Sequence, residues 1–592
     1  MLNGDFVRGI PGLDKDCQEA MAWLCENGEG YPIGSYTPPL RGTTKVEEPK
    51  SFIALSFRLG RKSLHGNGTK VVGFQACLST TQPSITITGT VVSIATALTQ
   101  HVITSANASN IIVTSGKDRT ILDSFLETIG PSLLSMKYTL QPFLMSGSVS
   151  WIKIRKGKRS WSLVYYENLT GLDPATAVST GLALAKAADS ESSDHRMLAQ
   201  DLYRATAAYS EWLHESFGVA MRPTAGMIAM ACARRFLDPQ LRKWRPSPVV
   251  VAMERKGLGY RSGITYGKRY RGQTWKIDVN RQYTAALRGR LPLRGFFGKY
   301  RRGCSGLFVC RVSSDVSISY PMGVWIGSGF AYHTAHRGAF VSILHTEEFD
   351  CMRSIGFEIE PSIGYVFTHH FTLDTYVQHL QNILDTFGKE SPQGKLCKPL
   401  GNFVYGKFAQ DPHQLEIAFS EKRPAGTGEK TWRPYWDAEG VRWPTIWERA
   451  TVRVTASQHV DIAGVIASMA RSQTVGMWRF LSESLGATVV RAHTDSLTLD
   501  VDPSAYVEMS QDSIGSWRLE SDGEETIIVG PNAFFDHDGA HISGVSQPTY
   551  EMVERMYDGN VVYVTQEQNA PRRGLQREAT EVRREYRATG SV

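Results

Sequence analysis

Two aspartates stand where strand-like segments end, and their pairing would suit phosphoryl transfer. Asp495 lies at the tip of a hairpin-like stretch, residues 487–501, in which apolar and β-branched residues flank a polar turn. Asp278 ends the strand-like segment 274–279. Two Mg²⁺ ions held roughly 3.5–4 Å apart for phosphoryl transfer need carboxylates that project from rigid strand ends. Asp278 and Asp495 are the natural pair, and the alternative is that each is a solvated acid at a surface turn.

A third polar group lies on a helix-like segment between the two aspartates. Lys398, Asn402 and Tyr405 are four and three residues apart, which places them on one face of a helix. A lysine, an amide and an aromatic ring could there hold a triphosphate, a polar base edge and a base plane. Because proline is tolerated only in the first turn of a helix, Pro399 predicts that the helix begins near Lys398 or is kinked there. The alternative is a polar helix face next to a glycine.

Two segments upstream of Asp278 mix basic, aromatic and glycine residues. Residues 255–263 contain Arg255, Lys256, Tyr260 and Arg261 among glycines, and residues 268–272 repeat the mixture. This composition suits a groove that follows a nucleic-acid backbone. The alternative is a solvated basic loop.

Several domains must carry these groups, because 592 residues are more than one hydrophobic core can serve. Hydrophobic residues make up 42% of the chain and charged residues 21%, which is typical of globular proteins. The net charge of +7 permits a polyanionic partner without requiring one.

Cysteine usage and hydropathy bear on the compartment. None of the eight cysteines forms a Cys-x-x-Cys, so the sequence predicts no zinc site and no redox motif. Scattered thiols favour a reducing, intracellular setting. We expect no signal peptide, since the first residues lack a basic and an apolar region, and no membrane span, since polar residues interrupt the apolar windows.

Residues 1–245 alternate strand-like and helix-like patterns and predict an α/β domain. The strand-like segments are 51–57, 71–74, 84–90, 111–113 and 162–166. Apolar residues recur at helical spacing from residue 194 to residue 217. The acids of this domain that could do chemistry are Asp189 and Glu191, which we interpret as part of a solvated loop, and Asp201 inside the helix. We interpret Asp201 as a surface or structural acid or the relic of a metal site. Three prolines in residues 234–249 indicate a connection between domains.

The three polar segments, in this order, resemble the motifs of family B DNA polymerases. Asp278-Val279-Asn280-x-x-Tyr283 resembles the first palm motif, Asp-x-x-Ser-Leu-Tyr-Pro. His493-Thr494-Asp495-Ser496 resembles the second, Asp-Thr-Asp-Ser. The palm motifs are weak alone, and their order and spacing together are hard to obtain by chance.

The fingers and linker segments resemble the protein-primed branch found in bacteriophages, adenoviruses and linear plasmids. Lys398-x-x-x-Asn402-x-x-Tyr405-Gly406 is similar to the fingers motif Lys-x-x-x-Asn-Ser-x-Tyr-Gly, which is strongly specific. Tyr260-x-Ser262-Gly263 is similar to the linker motif Tyr-x-Gly-Gly that handles the primer-template. The resemblance covers about residues 255–545.

The resemblance implies a role for each matched residue. Asp278 and Asp495 would be the catalytic residues and hold two Mg²⁺ ions, for which Mn²⁺ is a possible substitute, with the carbonyl of Val279 as a further ligand. The residues implied at the nucleotide are Tyr283, which would exclude a 2′-hydroxyl, Lys398 with Lys395 or Lys389 on the triphosphate, and Asn402 and Tyr405 at the nascent base pair. The residues implied at the DNA are Tyr260, Arg261, Gly263, Gly406, Thr494 and Phe534.

The sequence departs from the family at several positions. Arg281, Gln282 and Thr284 replace the usual Ser, Leu and Pro of the first palm motif. His493 replaces the first, less essential Asp of the second palm motif, and a cationic imidazole there would oppose Mg²⁺. We expect activity that is tuned by these changes.

Two other regions of the family have altered counterparts here. Where the family places Lys-x-Tyr against the primer strand, Asn532 and Phe534 lose the charge and keep the aromatic ring. The family's N-terminal domain is a 3′–5′ exonuclease, but the expected first strand, residues 52–59, has no acid, and only Met197-x-x-x-Asp201 resembles the last exonuclease motif. We expect an exonuclease fold without exonuclease activity, because a two-metal site without ligands cannot cleave.

The resemblance predicts a multidomain α+β or α/β chain with a right-hand polymerase (palm, fingers, thumb) and an N-terminal RNase H-like exonuclease domain. The predicted units are 1–245 for the exonuclease-like domain, 250–300 for the first palm part with the linker, 301–370 for an insertion and palm strands, 371–410 for the fingers, 411–450 for a second insertion hairpin, 451–520 for the second palm part, and 521–592 for the thumb and tail. Residues 572–587, rich in Arg and Glu, are expected to form a solvated helix.

The leading expectation is a template-directed DNA polymerase that adds dNTPs to a 3′-hydroxyl, with a primer-template, a terminal protein primer and no proofreading. We expect a monomer in the cytoplasm of a host cell, encoded by a virus or mobile element. The alternatives are a family B polymerase with another priming mode and a degenerate homologue that only binds DNA.

Overall fold

The structure is a computed structural model of the 592-residue chain. It describes residues 4–27, 39–59, 71–78, 85–103, 111–114, 121–145, 148–185, 199–261, 263–314, 320–333, 337–420, 423, 432–436, 442–452, 454–545, 547–572 and 576–586. Among the predicted features, Asp189, Glu191, Met197, Ser262 and most of residues 421–443 lie outside this part. No helix in the described ranges is long and apolar enough to cross a membrane.

The helices of the described part have the following bounds. They are α1 (Gly4–Arg8), α2 (Lys15–Asn27), α3 (Val91–Ala97, continued by a π-helix over Leu98–Ile103), α4 (Ile121–Thr128), α5 (Gly130–Ser135), α6 (Tyr166–Thr170), α7 (Pro174–Leu184), α8 (Ala199–Phe217), α9 (Ala225–Arg235), α10 (Pro248–Arg255), α11 (Gln282–Ala286), α12 (Phe349–Ser354, preceded by a 3-10 turn over Thr346–Glu348), α13 (Asp374–Phe387), α14 (Pro392–Ala409), α15 (Val460–Leu485) and α16 (Tyr550–Tyr557).

The strands follow in chain order. They are β1 (Leu40–Arg41), β2 (Phe52–Leu59), β3 (Val71–Cys77), β4 (Ile85–Thr88), β5 (Ile111–Thr114), β6 (Thr139–Met145), β7 (Ser148–Lys156), β8 (Arg159–Tyr165), β9 (Arg242–Lys243), β10 (Ile264–Gly267), β11 (Tyr270–Val279), β12 (Leu291–Lys299), β13 (Ser305–Ser314), β14 (Met322–Trp325), β15 (Phe330–His333), β16 (Gly338–His345), β17 (Glu358–Phe371), β18 (His413–Phe419), β19 (Arg433–Trp436), β20 (Arg442–Val452), β21 (Val489–Thr494), β22 (Ser496–Leu499), β23 (Trp517–Gly530), β24 (Ala533–Asp536), β25 (Gly539–Ile542), β26 (Val562–Arg572) and β27 (Gln576–Tyr586).

The N-terminal domain is built on a ten-stranded mixed sheet with strand order β19-β20-β18-β6-β7-β8-β5-β2-β3-β4. Strands β2, β5 and β8 run parallel at its centre. The apolar run of β2 is buried on both faces, as parallel strands require: Phe52 contacts Tyr203 of α8 at a centroid distance of 4.7 Å, and Phe57 contacts Phe125 of α4 at 5.4 Å. The strands predicted in this domain are therefore present.

The hairpin that follows α14 joins this same sheet. Phe419 of β18 pairs with Leu140 of β6, and Gln141 donates a 2.7 Å hydrogen bond to Glu416. Phe419 is buried in the core of the N-terminal domain. The segment after the fingers helix thus ties that helix to the N-terminal domain.

A seven-stranded sheet with order β10-β21-β22-β11-β23-β24-β25 carries the two predicted aspartates. Helix α15 packs on its back: Val475, Trp478 and Leu481 share a core with Val489 and Leu497. Here the predicted hairpin at 487–501 and the strand ending at Asp278 are neighbours, because β22 pairs directly with β11.

A six-stranded sheet, β12-β17-β13-β16-β14-β15, is inserted between Asp278 and the helix that carries Lys398. Its edge hairpin β14–β15 packs on α2, where Trp23 lies 5.5 Å from Trp325 between ring centroids. Ile326 and Tyr332 of that hairpin remain 58% and 44% exposed.

Some local predictions need correction. Helix α14 begins at Pro392, capped by Ser391, so it does not start near Lys398 and it contains Pro399 in its interior; the alternative of a kink at Pro399 stays a prediction. The prediction of a helix in the tail was wrong: the strands Val562–Arg572 and Gln576–Tyr586 pair in antiparallel fashion, with Val562 opposite Tyr586. Their backbone groups bond to the neighbouring strand instead of within a helix. Strand β23 spans residue 521, where we predicted the second palm part to end and the thumb to begin, and that domain boundary stays a prediction. The mixed α+β, multidomain class is confirmed.

Candidate active site

A row of polar side chains crosses one face of the seven-stranded sheet. Strand register places Thr265, His493, Ser496, Asp278 and Arg518 opposite one another on five adjacent strands. Residues directly opposite each other on paired strands share a face. We call these five residues the polar row. It places His493 on the same face as Asp278, two strands away.

Asp495 sits in a two-residue turn beside the polar row, between the paired residues His493 and Ser496. Thr494 takes a left-handed conformation with φ of 58°, as this kind of hairpin turn requires at its first position. The Thr494 carbonyl accepts a 3.1 Å hydrogen bond from the Thr474 hydroxyl, and the Asp495 carbonyl accepts a 3.0 Å bond from the backbone N–H of Val279. The turn is thereby fixed to both α15 and β11.

Gly263 packs against the same turn. A Cβ atom at this glycine would lie 2.8 Å from both Cα and Cγ2 of Thr494. No larger residue fits without moving the turn that carries Asp495. The predicted role of Gly263 in contacting DNA remains a prediction; the structure adds a packing role.

Burial and neighbouring carboxylates together determine the electrostatics of this site. Burial, then the negative charges of Asp495 and Glu520, raises the pKa of Asp278 to about 7. Burial also raises the pKa of Asp495, and Glu520 adds to the effect, whereas Lys398 and Arg518 oppose it. A site that holds this much negative charge together favours cationic ligands.

Arg518 and Glu520 are functional candidates that the sequence analysis missed. Arg518 donates hydrogen bonds of 2.8 and 3.2 Å to Asp278 Oδ2 and one of 2.6 Å to Glu520 Oε1. Glu520 Oε2 is 2.8 Å from the ammonium of Lys276. The alternation of side chains along a strand over residues 517–521 places Arg518 and Glu520 on one face, and the sequence alone contains this pattern.

Helix α14 closes a cavity of about 710 Å³ over the two aspartates. Lys389, Lys395 and Lys398 line it together with Asp278 and Asp495. The remaining lining residues are Gly171, Leu172, Asp173, Thr176, Val279, Asn280, Arg281, Gln282, Tyr283, Glu390, Pro399, Asn402, Phe403 and Arg518. The predicted lysines and carboxylates therefore meet in one concave site.

The residues that depart from the first palm motif lie at the start of α11, directly after β11, and tie it to the surrounding helices. Arg281 donates to the Gly394 carbonyl of α14 at 3.2 Å, and Gln282 donates to the Thr474 hydroxyl of α15 at 2.9 Å. The Thr284 hydroxyl donates to Asn402 Oδ1 at 3.2 Å. The substitutions thus supply contacts that hold Asn402 and the cavity walls.

Three tyrosines form one cluster at the edge of the cavity. Tyr283 stacks on Tyr405 with ring centroids 4.3 Å apart and planes 3° from parallel. The hydroxyls of Tyr260 and Tyr405 are 3.1 Å apart. Burial raises the pKa of Tyr283 to about 12, so its hydroxyl stays protonated. The cluster joins the linker segment (Tyr260), helix α11 (Tyr283) and helix α14 (Tyr405).

The prediction that Arg261 contacts DNA is wrong. Its side chain is fully buried and makes two hydrogen bonds, of 2.8 and 2.7 Å, to Glu348. Glu348 also accepts from Arg471, which in turn donates to the Arg261 carbonyl at 2.8 Å. A basic residue in a mixed segment can serve an internal ion pair, which composition alone does not reveal.

The surroundings of Phe534 and His493 are also defined. Phe534 is only 9% exposed because the Arg491 guanidinium lies 3.7 Å from its ring centroid and His541 stacks beside it. The structure therefore does not place its ring where DNA could reach it.

His493 is exposed. Partial desolvation of its ring, then the charge of Arg491, lowers the pKa of His493 and favours a neutral imidazole.

Two further predicted residues lie away from the aspartates. Gly406 lines a second cavity of about 470 Å³ on another side of α14, next to Phe403 and Lys407. Asp201 lies on α8 in the N-terminal domain, 3.9 Å from the guanidinium of Arg204. The structure does not bring either residue into the site described above.

Comparison with known proteins places the fold. No family model matches the chain. A protein described as a probable DNA polymerase of Neurospora intermedia is 25% identical over 217 residues, which are 36% of this chain and 20% of that protein. The chain thus spans about a fifth of that relative's length.

Solved structures of phi29 DNA polymerase are similar over almost the whole chain. Its ternary complex with primer-template DNA and incoming nucleotide substrates gives a TM-score of 0.62 at 14% identity, covering 92% of this chain and 100% of that one. Its binary complex with primer-template DNA gives 0.60 at 13% identity, with 91% and 100% covered. The predicted fold class is confirmed, and the resemblance to family B DNA polymerases holds at the level of the fold.

Proposed function

We propose that this chain is a template-directed DNA polymerase that adds deoxynucleotides to a primer 3′-hydroxyl. One observation carries the proposal: Asp278 and Asp495, 217 residues apart in sequence, face one cavity that three lysines of the fingers region also line. Clustered carboxylates and cations are what a reaction that builds negative charge on phosphate needs. The likeness of the fold to phi29 DNA polymerase supports the same function.

The residues at the site fit a pair of divalent cations. The available donors, the carboxylates of Asp278 and Asp495 and the carbonyl of Val279, are oxygen atoms, which Mg²⁺ and Mn²⁺ prefer. Burial, then repulsion from Asp495 and Glu520, raises the pKa of Asp278, and bound cations would relieve that repulsion. When bound, the metals would activate the 3′-hydroxyl and stabilise charge on the transferred phosphate.

The chain's own residues would position the nucleotide and the primer end. Lys398, Lys395 and Lys389 neutralise the triphosphate. Asn402, fixed by Thr284, and the stacked rings of Tyr283 and Tyr405 form the wall against which the nascent base pair lies. A wall held by packing and hydrogen bonds orients the substrate before reaction, which lowers the entropic part of the barrier.

Primer extension tests the proposal. We expect purified protein to extend a primed template with Mg²⁺ or Mn²⁺, and Asp278→Ala and Asp495→Ala to lose at least a thousandfold of that activity. Asp502→Ala is the matched control, since Asp502 is an exposed acid that accepts a hydrogen bond from the backbone N–H of the nearby Ser504. A folded wild type that is inert with both metals would refute the proposal and leave the DNA-binding homologue as the better account.

We further propose that the N-terminal domain has no proofreading activity. Its central strand β2 carries no acid along Phe52–Leu59, and Asp201 on α8 is paired with Arg204. Two-metal hydrolysis needs several carboxylates around the scissile phosphate. We expect no 3′–5′ degradation of single-stranded DNA; degradation that disappears in Asp201→Ala would contradict this proposal.

Protein priming is the finer proposal for initiation. The inserted six-stranded sheet presents the exposed Ile326 and Tyr332 on its edge hairpin, which suits a protein partner such as a terminal protein. The test is whether a small protein encoded beside this chain accepts a covalently linked nucleotide in its presence. A chain that instead starts DNA on a naked template would show another priming mode.

A further inference from the structure

Arg518 occupies the space between two carboxylates of the site. One nitrogen, Nη2, is 2.8 Å from Asp278 Oδ2 and 2.6 Å from Glu520 Oε1. Nε of the same guanidinium donates to Asp278 Oδ2 at 3.2 Å. The guanidinium therefore stands where a shared cation between these two carboxylates would stand.

Glu520 is held away from Asp278 by a second cation as well. Its Oε2 lies 2.8 Å from the ammonium of Lys276, so each of its oxygens has a positively charged partner. Its charge nevertheless reaches the aspartates, because Glu520 contributes to raising the pKa of both Asp278 and Asp495. Glu520 thus lies near the proposed metal site, but both of its oxygens are paired with Lys276 and Arg518.

We propose that Arg518 is a built-in counter-cation that keeps Glu520 out of the metal centre and limits how tightly the centre binds divalent ions. The inference rests on the metal site proposed above. The affinity of an oxygen-ligand site rises with the number of carboxylates that can coordinate and falls with nearby positive charge. Arg518 acts on both quantities, since it binds Glu520 and adds its own charge.

The simpler account is that Arg518 only stabilises the sheet. Asp278 and Arg518 are directly opposite on β11 and β23, a position in which opposite charges stabilise strand pairing. A sheet-stabilising role predicts lower thermal stability after substitution and no gain in metal affinity. The counter-cation predicts tighter metal binding, so the two accounts differ in sign.

Metal binding without DNA or nucleotides provides the test. Mn²⁺ would be titrated into full-length protein and free Mn²⁺ measured by electron paramagnetic resonance, for wild type, Arg518→Gln, Arg518→Met and Arg518→Lys. We expect both neutral variants to lower the Kd for Mn²⁺ at least tenfold, and Arg518→Lys to stay within threefold of wild type. Two neutral variants are included so that misfolding of one still leaves a result.

A double variant tests the part played by Glu520. In Arg518→Gln/Glu520→Gln the freed carboxylate is absent, so the gain in affinity should disappear. Arg479→Gln is the matched control, because Arg479 is an exposed arginine paired with Glu483 on α15. Its Mn²⁺ affinity should equal that of wild type.

Several results would overturn the inference. Unchanged or weaker Mn²⁺ binding in folded Arg518→Gln and Arg518→Met would show that the arginine does not limit the site. A gain that survives in the double variant would show that Glu520 is not the released ligand. Failure of the proposed function would be seen separately. Mn²⁺ binding that depends on Asp278, in a protein that does not extend primers, would refute the polymerase proposal and leave the proposed role of Arg518 intact.

Discussion

Replacing Gly263 by alanine should disable the site through a single methyl group. The new Cβ would lie 2.8 Å from Thr494 Cα, a backbone atom that cannot rotate away. Carbon atoms in contact normally lie about 3.5–4.0 Å apart, so the linker and the turn must separate by roughly 0.7 Å or more. Because Asp495 is the next residue in that turn, its carboxylate must shift with Thr494.

A displacement of this size is large for catalysis and small for folding. Misplacing a catalytic group by about 1 Å can cost about a hundredfold in rate. We expect Gly263→Ala to lower kcat for primer extension about 10- to 100-fold, with the melting temperature changed by only a few degrees. Single-turnover extension of a primed template, alongside thermal denaturation, measures both quantities.

Two companions make this prediction refutable. Gly530→Ala is the control, since a Cβ at Gly530 on β23 of the same sheet would meet no atom within 4 Å. Gly263→Ala/Thr494→Gly should recover part of the activity, because glycine removes Cβ and Cγ2 from the contact and tolerates the left-handed turn. Wild-type kcat in a well-folded Gly263→Ala protein would refute the argument that this contact fixes Asp495.

Three further outcomes follow from other contacts of the site. In EDTA, Asp278→Asn should raise the melting temperature at pH 8 and not near pH 4. The pKa of Asp278 in the folded protein is about 7, above its ordinary value, so the folded protein keeps a proton that the unfolded chain loses. Wild-type stability therefore falls as the pH rises from the ordinary pKa towards 7, and the asparagine variant avoids this loss. Lys398→Ala should raise KM for dNTPs about 10- to 100-fold, as loss of a charged phosphate contact does, in steady-state extension assays. Arg261→Met should destabilise the fold by about 3 kcal/mol in denaturant titrations, because it removes a buried partner of Glu348, while DNA affinity of the folded fraction is unchanged.

Each of these has a contradicting result. A melting temperature of Asp278→Asn that is equally raised at both pH values would show that the carboxylate charge is not the cause. An unchanged KM in Lys398→Ala would assign the triphosphate to Lys395 and Lys389. Weakened DNA binding by stable Arg261→Met would restore the surface role that burial argues against.

The position of a site residue could be predicted from the sequence where its type and its local secondary-structure pattern indicated the same role. Asp278 and Asp495 each end a strand pattern, and strand ends are rigid, so their meeting could be predicted once both were assigned to one sheet. Lys398, Asn402 and Tyr405 share a helix face by spacing alone. These assignments depend on the periodicity of helices and strands, which can be read from the sequence without knowing how the elements pack.

Prediction failed where tertiary contacts override local pattern. Pro399 indicated that the helix starts near Lys398 or is kinked there, yet α14 starts at Pro392, where Ser391 caps its first turn, and continues through Pro399. Packing supplies the stability that one missing hydrogen bond removes. Arg261 belongs to a basic, glycine-rich segment, and only the buried Glu348, 87 residues later, shows that its charge is used internally. No periodicity connects such distant partners.

The position of Arg518 could be predicted in part from local pattern, but its contacts could not. Its place on the polar row follows from alternation, but its bridge between Asp278 and Glu520 follows from strand pairing across 240 residues. Thr284, Gln282 and Arg518 each replace or add a polar group that ties a site residue to its surroundings. In the proposed polymerase the two aspartates are kept and the residues that hold them are changed. We therefore expect the altered motifs to be compatible with activity, and a variant of Arg518 to alter metal affinity more than the fold.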